Sequence, residues 1–82
     1  MKSKWRFNIE KLSAYVIGED KRIYRLPFIT NNRSYSFREI KKQLGNRYWL
    51  NGEYWSINQL KAHIIEDSNP IEIYPNLTET PF

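Results

Sequence analysis

Hydrophobic and polar residues alternate between residues 12 and 29, a pattern typical of β-strands. Residues 12–17 are rich in Tyr, Val and Ile, the polar residues 18–21 interrupt them, and Tyr24, Leu26 and Phe28 then alternate along one side. These features predict a β-hairpin with residues 22–29 as its second strand. Pro27 cannot donate to a sheet, so this strand should lie at an edge or end near Pro27. A polar turn at 30–33 leads to a short returning strand at 34–35.

The spacing of apolar residues then changes to a helical one. Ser36 and Glu39 match a capping box, in which the Ser side chain and the Glu side chain satisfy each other's backbone N–H groups. Phe37, Ile40 and Leu44 repeat at intervals of three and four and would form one apolar face. With Gly45 as the residue that ends it, this pattern predicts a helix over residues 37–44.

A second hairpin and a second helix are predicted directly downstream. Asn51-Gly52 separates two aromatic-rich runs, a strong signal for a two-residue type I′ turn. Such a turn fixes the register, with Leu50 opposite Glu53, Trp49 opposite Tyr54 and Tyr48 opposite Trp55. A capping box at Ser56 and Gln59 then begins a helix that is expected to run to about residue 66.

The similar patterns at 36–44 and 56–64 predict two tandem β-hairpin-plus-helix (ββα) units in one α+β domain over residues 1–75. The expected layout is a basic arm at 1–10, a first unit at 12–44, a second unit at 47–66 and a short strand at 71–74, with a flexible tail at 76–82. A chance likeness of two capped amphipathic helices is the alternative to a true duplication.

Composition narrows the possible functions of this 82-residue chain. It has no cysteine and a single histidine, His63, which excludes thiol nucleophiles and zinc sites built on two histidines. With no phosphate-binding glycine loop either, we expect no catalysis, no metal and no cofactor. No segment is apolar enough for a signal peptide or a bilayer span, so the expected location is the cytoplasm, that of the host cell if the protein is phage-encoded.

Charge is unevenly distributed. All 13 Lys and Arg lie within residues 1–65, where five acids leave a net charge of +8, and residues 66–82 hold four acids and no base. A basic body attracts polyanions, of which nucleic acid is the usual one, although it also keeps a small domain soluble. The acidic end would be able to cover part of the basic body.

The second hairpin offers a candidate binding surface. If Tyr48, Leu50 and Trp55 face the core, Trp49 and Tyr54 form an aromatic pair on the open face beside Arg47, where bases can stack. A purely structural cross-strand pair is the alternative. Further basic side chains would contact phosphates, and Trp5 would lie within the basic arm: Lys4, Arg6, Arg22, Arg25, Arg33, Arg38, Lys41, Lys42 and Lys61.

Residues 47–60, RYWLNGEYWSINQL, resemble the hairpin-plus-helix modules of phage-type homing endonucleases and of AP2-like DNA-binding domains. The chain length and the Asn-, Ile-, Lys- and Tyr-rich composition also resemble small accessory proteins of AT-rich phages. The resemblance implies DNA binding. The His-Asn-His metal site of those nucleases has no match in this chain, which implies binding without cleavage.

The sequence therefore predicts a non-catalytic nucleic-acid-binding accessory protein, with DNA favoured over RNA. The alternative is a phage-type protein–protein interaction module that inhibits a host or defence enzyme through the same aromatic face, because Tyr, Trp and Arg also dominate protein interfaces. A homodimer that buries the Trp49 face stays open as well.

Overall fold

The computed structural model describes residues 1–73 and is built mainly from antiparallel strands. In chain order its elements are β1 (Ser3–Phe7), a 3-10 turn (Glu10–Leu12), β2 (Tyr15–Gly18), β3 (Ile23–Arg25), β4 (Phe28–Thr30), β5 (Arg33–Tyr35), β6 (Arg38–Ile40), β7 (Arg47–Leu50), β8 (Glu53–Ser56), α1 (Ile57–Lys61) and β9 (Ile64–Glu66). A five-stranded sheet has the order β6-β3-β2-β1-β9, and β4-β5 and β7-β8 form two separate hairpins. The predicted α+β fold with two ββα units is therefore wrong, because only the second helix forms within residues 1–73.

The five-stranded sheet has a hydrophobic cluster on each face. Successive residues of a strand point to opposite faces, so Ile17 joins one cluster and its neighbour Val16 joins the other. The first core contains Phe7, Leu12, Tyr15, Ile17, Ile23, Leu50 and Leu60. The second core contains Val16, Tyr24, Phe37 and Ile73. The β7-β8 hairpin and α1 thus cover one face through Leu50 and Leu60.

The hairpin predicted within residues 12–29 is confirmed as the antiparallel pair β2-β3. Strand β3 ends at Arg25, two residues before Pro27. This agrees with the prediction, because proline has no backbone N–H to donate to a neighbouring strand. The short returning strand is also confirmed, since β4 and β5 pair around Asn31 and Asn32. Both asparagines have positive φ, 45° and 65°, as a type I′ turn requires.

The helix predicted over residues 37–44 is wrong. Residues 38–40 form β6, whose Ile40 pairs with Ile23 at the edge of the sheet. Phe37 lies in the second core whereas Ile40 packs against the first, so two residues that a helix would place on one face lie on opposite sides of the sheet. Leu44 is 91% exposed rather than buried. Pairing with the free edge of β3 therefore stabilises a strand at residues 38–40 more than the local helical spacing stabilises a helix.

The second helix begins as predicted but is shorter. Ser56 Oγ accepts from the Gln59 N–H and Gln59 Oε1 accepts from the Ser56 N–H, which confirms the capping box. The helix ends at Lys61, and β9 replaces the rest of the predicted helix by pairing with β1. Residues 64–66 form a strand because β1 would otherwise have no hydrogen-bonded partner on the side opposite β2.

The predicted basic arm is wrong too, because β1 lies between β2 and β9 inside the sheet. The buried carboxylate of Asp67 joins this strand to the chain's later residues. It accepts from Ser3 Oγ at 2.6 Å, Arg6 Nε at 3.0 Å and the Asn69 N–H at 3.0 Å. Burial alone would raise the Asp67 pKa, but these hydrogen bonds outweigh it and hold the pKa below its ordinary value.

The final predicted strand is present only as a single bridge between Lys2 and Glu72, and residue 74 and the predicted tail at 76–82 lie outside the described residues. Glu72 accepts from the N-terminal ammonium at 2.6 Å, which lowers the Glu72 pKa. Over residues 1–73, no helix is long and apolar enough to cross a membrane.

Candidate functional site

The β7-β8 hairpin forms with the register that its Asn51-Gly52 turn predicts. Leu50 pairs with Glu53, Trp49 with Tyr54 and Tyr48 with Trp55. Asn51 and Gly52 have φ values of 52° and 76°, so both central residues adopt the left-handed conformation of a type I′ turn. The local sequence therefore determines which side chains share a face.

One face of this hairpin packs on the first core, as expected. Leu50 is fully buried, and Tyr48 and Trp55 are half-buried against the same cluster. The indole Nε1 of Trp55 donates to the Leu50 carbonyl oxygen at 3.2 Å. These contacts give the hairpin a fixed inner side.

The outer face carries an exposed aromatic pair. Trp49 is 46% exposed and Tyr54 is 51% exposed, and their ring centroids lie 4.7 Å apart at an interplanar angle of 72°. The Arg47 guanidinium carbon lies 5.7 Å from the centroid of the Tyr54 ring. An edge-to-face pair can stabilise the hairpin by about 0.5–1.5 kcal/mol while part of its ring surface stays open to solvent. We call Arg47, Trp49 and Tyr54 the aromatic platform.

Two polar contacts fasten the turn of the hairpin to the rest of the protein. The backbone N–H of Asn51 donates to the phenol oxygen of Tyr15 at 2.9 Å. Lys11 Nζ lies 3.2 Å from Glu53 Oε2, an exposed ion pair that contributes little by itself. The platform is therefore held by a buried tyrosine of β2 as well as by Leu50.

Arg25 extends this connection to the β4-β5 hairpin. Its guanidinium carbon lies 5.7 Å from the Tyr15 ring centroid and 4.2 Å from that of Phe28, and its Nη1 donates to the Tyr15 oxygen at a long 3.5 Å. The Nε of Arg25 is buried without a hydrogen-bond partner among residues 1–73. Unsatisfied buried donors are uncommon, and this one belongs to a cation with no described carboxylate partner.

The β4-β5 hairpin supplies a second ring pair that the sequence reading missed. Phe28 and Tyr35 are directly opposite in the register, and their rings stack with centroids 4.6 Å apart. A two-residue turn at Asn31-Asn32 would have indicated this pairing, because such a turn places Phe28 opposite Tyr35. The Arg25 cation lies over this stack on its Phe28 side.

Basic residues concentrate in the segment of the chain that runs from the end of β3 to the start of β7 and includes the β4-β5 hairpin. The segment 25–47 holds a single acid, Glu39, and that carboxylate lies 3.6 Å from Arg22 outside the segment. Arg38 is directly opposite Arg25 on neighbouring strands, where like charges repel. Within residues 1–73, no carboxylate forms an ion pair with any of the six cations of this segment, which we call the basic side: Arg25, Arg33, Arg38, Lys41, Lys42 and Arg47.

The other predicted contact residues lie outside this grouping. Lys4 and Trp5 belong to β1, with the Lys4 ammonium 5.2 Å from the Trp5 ring centroid and Trp5 packed on the first core rather than on a free arm. Arg6 pairs with Asp67 and Arg22 with Glu39, while Lys61 is exposed at the end of α1. In the part of the chain that the structure describes, no three His, Cys, Asp or Glu side chains gather as metal ligands do.

Comparison with protein-family models, curated proteins and solved structures finds no match to this chain. The resemblance of residues 47–60 to phage hairpin-plus-helix modules therefore stays a prediction.

Proposed function

We propose that the chain is a non-catalytic protein that binds single-stranded nucleic acid, DNA in preference to RNA. The aromatic platform would stack one or two unpaired bases, and the basic side would contact the phosphates. The observation that carries this proposal is the exposed Trp49–Tyr54 pair beside Arg47, which has no carboxylate partner within residues 1–73.

The platform favours unpaired bases over a duplex. Stacking on an aromatic side chain requires the face of a base, which a duplex covers with its neighbouring base pairs. Each base stacked on an aromatic ring contributes about 1–3 kcal/mol and every base has such a face, so binding would depend little on sequence. Arg47 adds a cation next to the Tyr54 ring, where a phosphate of the stacked nucleotide can approach.

The electrostatics support the same proposal. Arg25 and Arg38 stand opposite each other without a described carboxylate, and an anion between them would relieve their repulsion. A phosphate also accepts several hydrogen bonds at once from arginine. The unpaired Nε of Arg25 would then gain electrostatic stabilisation even where the phosphate does not reach it directly.

A titration of labelled oligonucleotides tests the proposal. Fluorescence anisotropy would be followed with a single-stranded DNA, the matched duplex and the matched RNA, each at two salt concentrations. We expect the single strand to bind best, and its log K to fall linearly with log salt by about 0.7 for each phosphate neutralised. If no oligonucleotide binds at low salt, the proposed function is wrong.

One observation favours the second candidate function, a protein-binding inhibitory module. Ile29 and Leu44 are 78% and 91% exposed, and both lie within the segment 25–47 that contains the basic side. Binding of phosphates would leave these apolar side chains exposed to water, whereas a protein partner would bury them. A partner bound mainly through these residues and the aromatic platform would dissociate little on raising salt, which separates the two functions.

A further inference from the structure

A cavity of about 410 Å³ opens between the five-stranded sheet and α1. Ile17 and Ile23 of the sheet contribute to its wall, Leu60 of α1 closes another side, and Trp5 and Tyr48 contribute aromatic rings. The helix has only five residues, so it covers only part of this sheet face. The cavity is of the size that small-molecule sites in proteins commonly have.

The wall chemistry restricts what this cavity can hold. Among residues 1–73 its side chains are mainly apolar, and the polar atoms are the ammonium groups of Lys21 and Lys61, the Tyr48 hydroxyl and the Trp5 indole N–H. A nucleobase or a sugar would bring more polar groups than these few side-chain atoms can pair, and each unpaired polar group costs free energy. The cavity therefore suits an apolar body and is distinct in chemistry from the aromatic platform.

The two lysines favour a ligand that carries a negative charge. Lys21 and Lys61 are both exposed, and no carboxylate among residues 1–73 forms an ion pair with either. No acidic residue lines the cavity. A third ammonium, that of Lys4, lies 5.2 Å from the centroid of the Trp5 ring in the wall. Cations next to an apolar cavity complement a ligand that has an anionic head and an apolar body.

We propose that this cavity binds a small amphipathic carboxylate, with its apolar body between the sheet and α1 and its carboxylate at Lys21 and Lys61. The site is separate from the proposed nucleic-acid surface, which uses neither lysine in the arrangement that the structure shows.

Isothermal titration calorimetry of the full chain tests this site with three probes. Decanoate has both the apolar body and the carboxylate, decanol has the body with a neutral head, and acetate has the carboxylate with almost no body. We expect saturable one-to-one binding of decanoate, weaker binding of decanol and no measurable binding of acetate. Equal affinities for decanoate and decanol, or no saturable binding of decanoate, would overturn the proposal.

Charge-removing variants make the test specific for the two lysines. In the double variant Lys21→Gln/Lys61→Gln, we expect decanoate to bind roughly three- to tenfold more weakly, since exposed charge pairs each contribute modestly. Decanol affinity should not change. Lys41→Gln/Lys42→Gln removes two exposed lysines that do not line the cavity and is the matched control. A control that weakens decanoate as much as the double variant would show attraction by the overall charge and refute the site.

Discussion

The phenol oxygen of Tyr15, in the middle of the sheet, accepts a hydrogen bond from the backbone N–H of Asn51 at the tip of the β7-β8 hairpin, 2.9 Å away. These residues are 36 positions apart in the chain. The bond fixes the hairpin tip relative to the sheet, and Arg25 Nη1 donates to the same oxygen at 3.5 Å. Tyr15 therefore connects the aromatic platform to the arginine pair of the basic side.

Tyr15→Phe should lower the free energy of unfolding by about 1 kcal/mol, because the Asn51 N–H loses its acceptor while the ring still fills the core. Urea denaturation monitored by circular dichroism measures this. Tyr35→Phe is the control, since Tyr35 is exposed and its hydroxyl makes no hydrogen bond within residues 1–73. Equal stability of the Tyr15→Phe variant and the unmodified protein would show that the bond contributes nothing.

Trp49→Ala should weaken binding of single-stranded DNA about five- to hundredfold, the equivalent of one lost stacked base. Its melting temperature should fall by only a few degrees, less than for a core variant, because the lost edge-to-face contact with Tyr54 contributes about 0.5–1.5 kcal/mol and nearly half of the Trp49 side chain is already exposed. Leu50→Ala, at the neighbouring buried position, should instead destabilise the protein by about 2–5 kcal/mol. A large fall in melting temperature for Trp49→Ala would mean that this ring is structural and would contradict the platform.

Arg38→Ala should weaken DNA binding and reduce the salt dependence by about one phosphate contact. The same variant removes the repulsion with Arg25, so we expect its stability to be equal or slightly higher. Lys2→Ala is the matched control, because Lys2 lies near the Gly18 end of β2 whereas Arg25 and Asn51 lie at the Tyr15 end. If the slope of log K against log salt is the same for Arg38→Ala and the unmodified protein, Arg38 does not contact a phosphate.

The free energy of unfolding should decrease at acidic pH because Asp67 becomes protonated. Its pKa is lowered in the folded protein, so the unfolded chain binds a proton first and the stabilisation is lost as pH falls below the ordinary Asp value near 3.9. Asp67→Asn should be less stable than the unmodified protein at pH 7, with a difference that shrinks in acid. Chemical denaturation at several pH values measures both, and Glu10→Gln, at an exposed acid without an ion pair, is the control. A difference that does not change with pH would contradict the lowered pKa.

Stability should also fall in alkali through Tyr24. Burial, together with the hydrogen bond that its hydroxyl donates to Asp20 at 2.7 Å, raises the Tyr24 pKa to about 12. The unfolded chain loses this proton near pH 10, so stability is complete below that pH and about 2–3 kcal/mol is lost as pH rises towards 12. Tyr24→Phe should remove this part of the decline, as measured by denaturation between pH 9 and about 12. Parallel pH profiles for the two proteins would show that Tyr24 does not contribute it.

The sequence by itself determined the hairpins and the capped helix start. Asn51-Gly52 sets the register of β7-β8, and therefore places Trp49 and Tyr54 on the same face, because a type I′ turn admits only that pairing. Packing of the opposite face on the first core then decides that these two rings are exposed. Ser56 and Gln59 determine where α1 begins, because their side chains satisfy N–H groups only a few residues away. These features depend on contacts between neighbours in the chain.

Only the tertiary structure decided whether the segments with helical spacing of apolar residues would form helices or strands. Residues 37–44 and 62–66 have helical spacing, yet β6 and β9 form there because the open edges of β3 and β1 offer backbone hydrogen bonds and two hydrophobic faces. Phe37 is buried on one face of the sheet and Ile40 is partly buried on the other, an arrangement that strand alternation allows and a helix does not. The same long-range packing brings Asn51 to Tyr15 and leaves the cavity beside α1. Local spacing does not encode these contacts, because their energy depends on strands from distant parts of the chain.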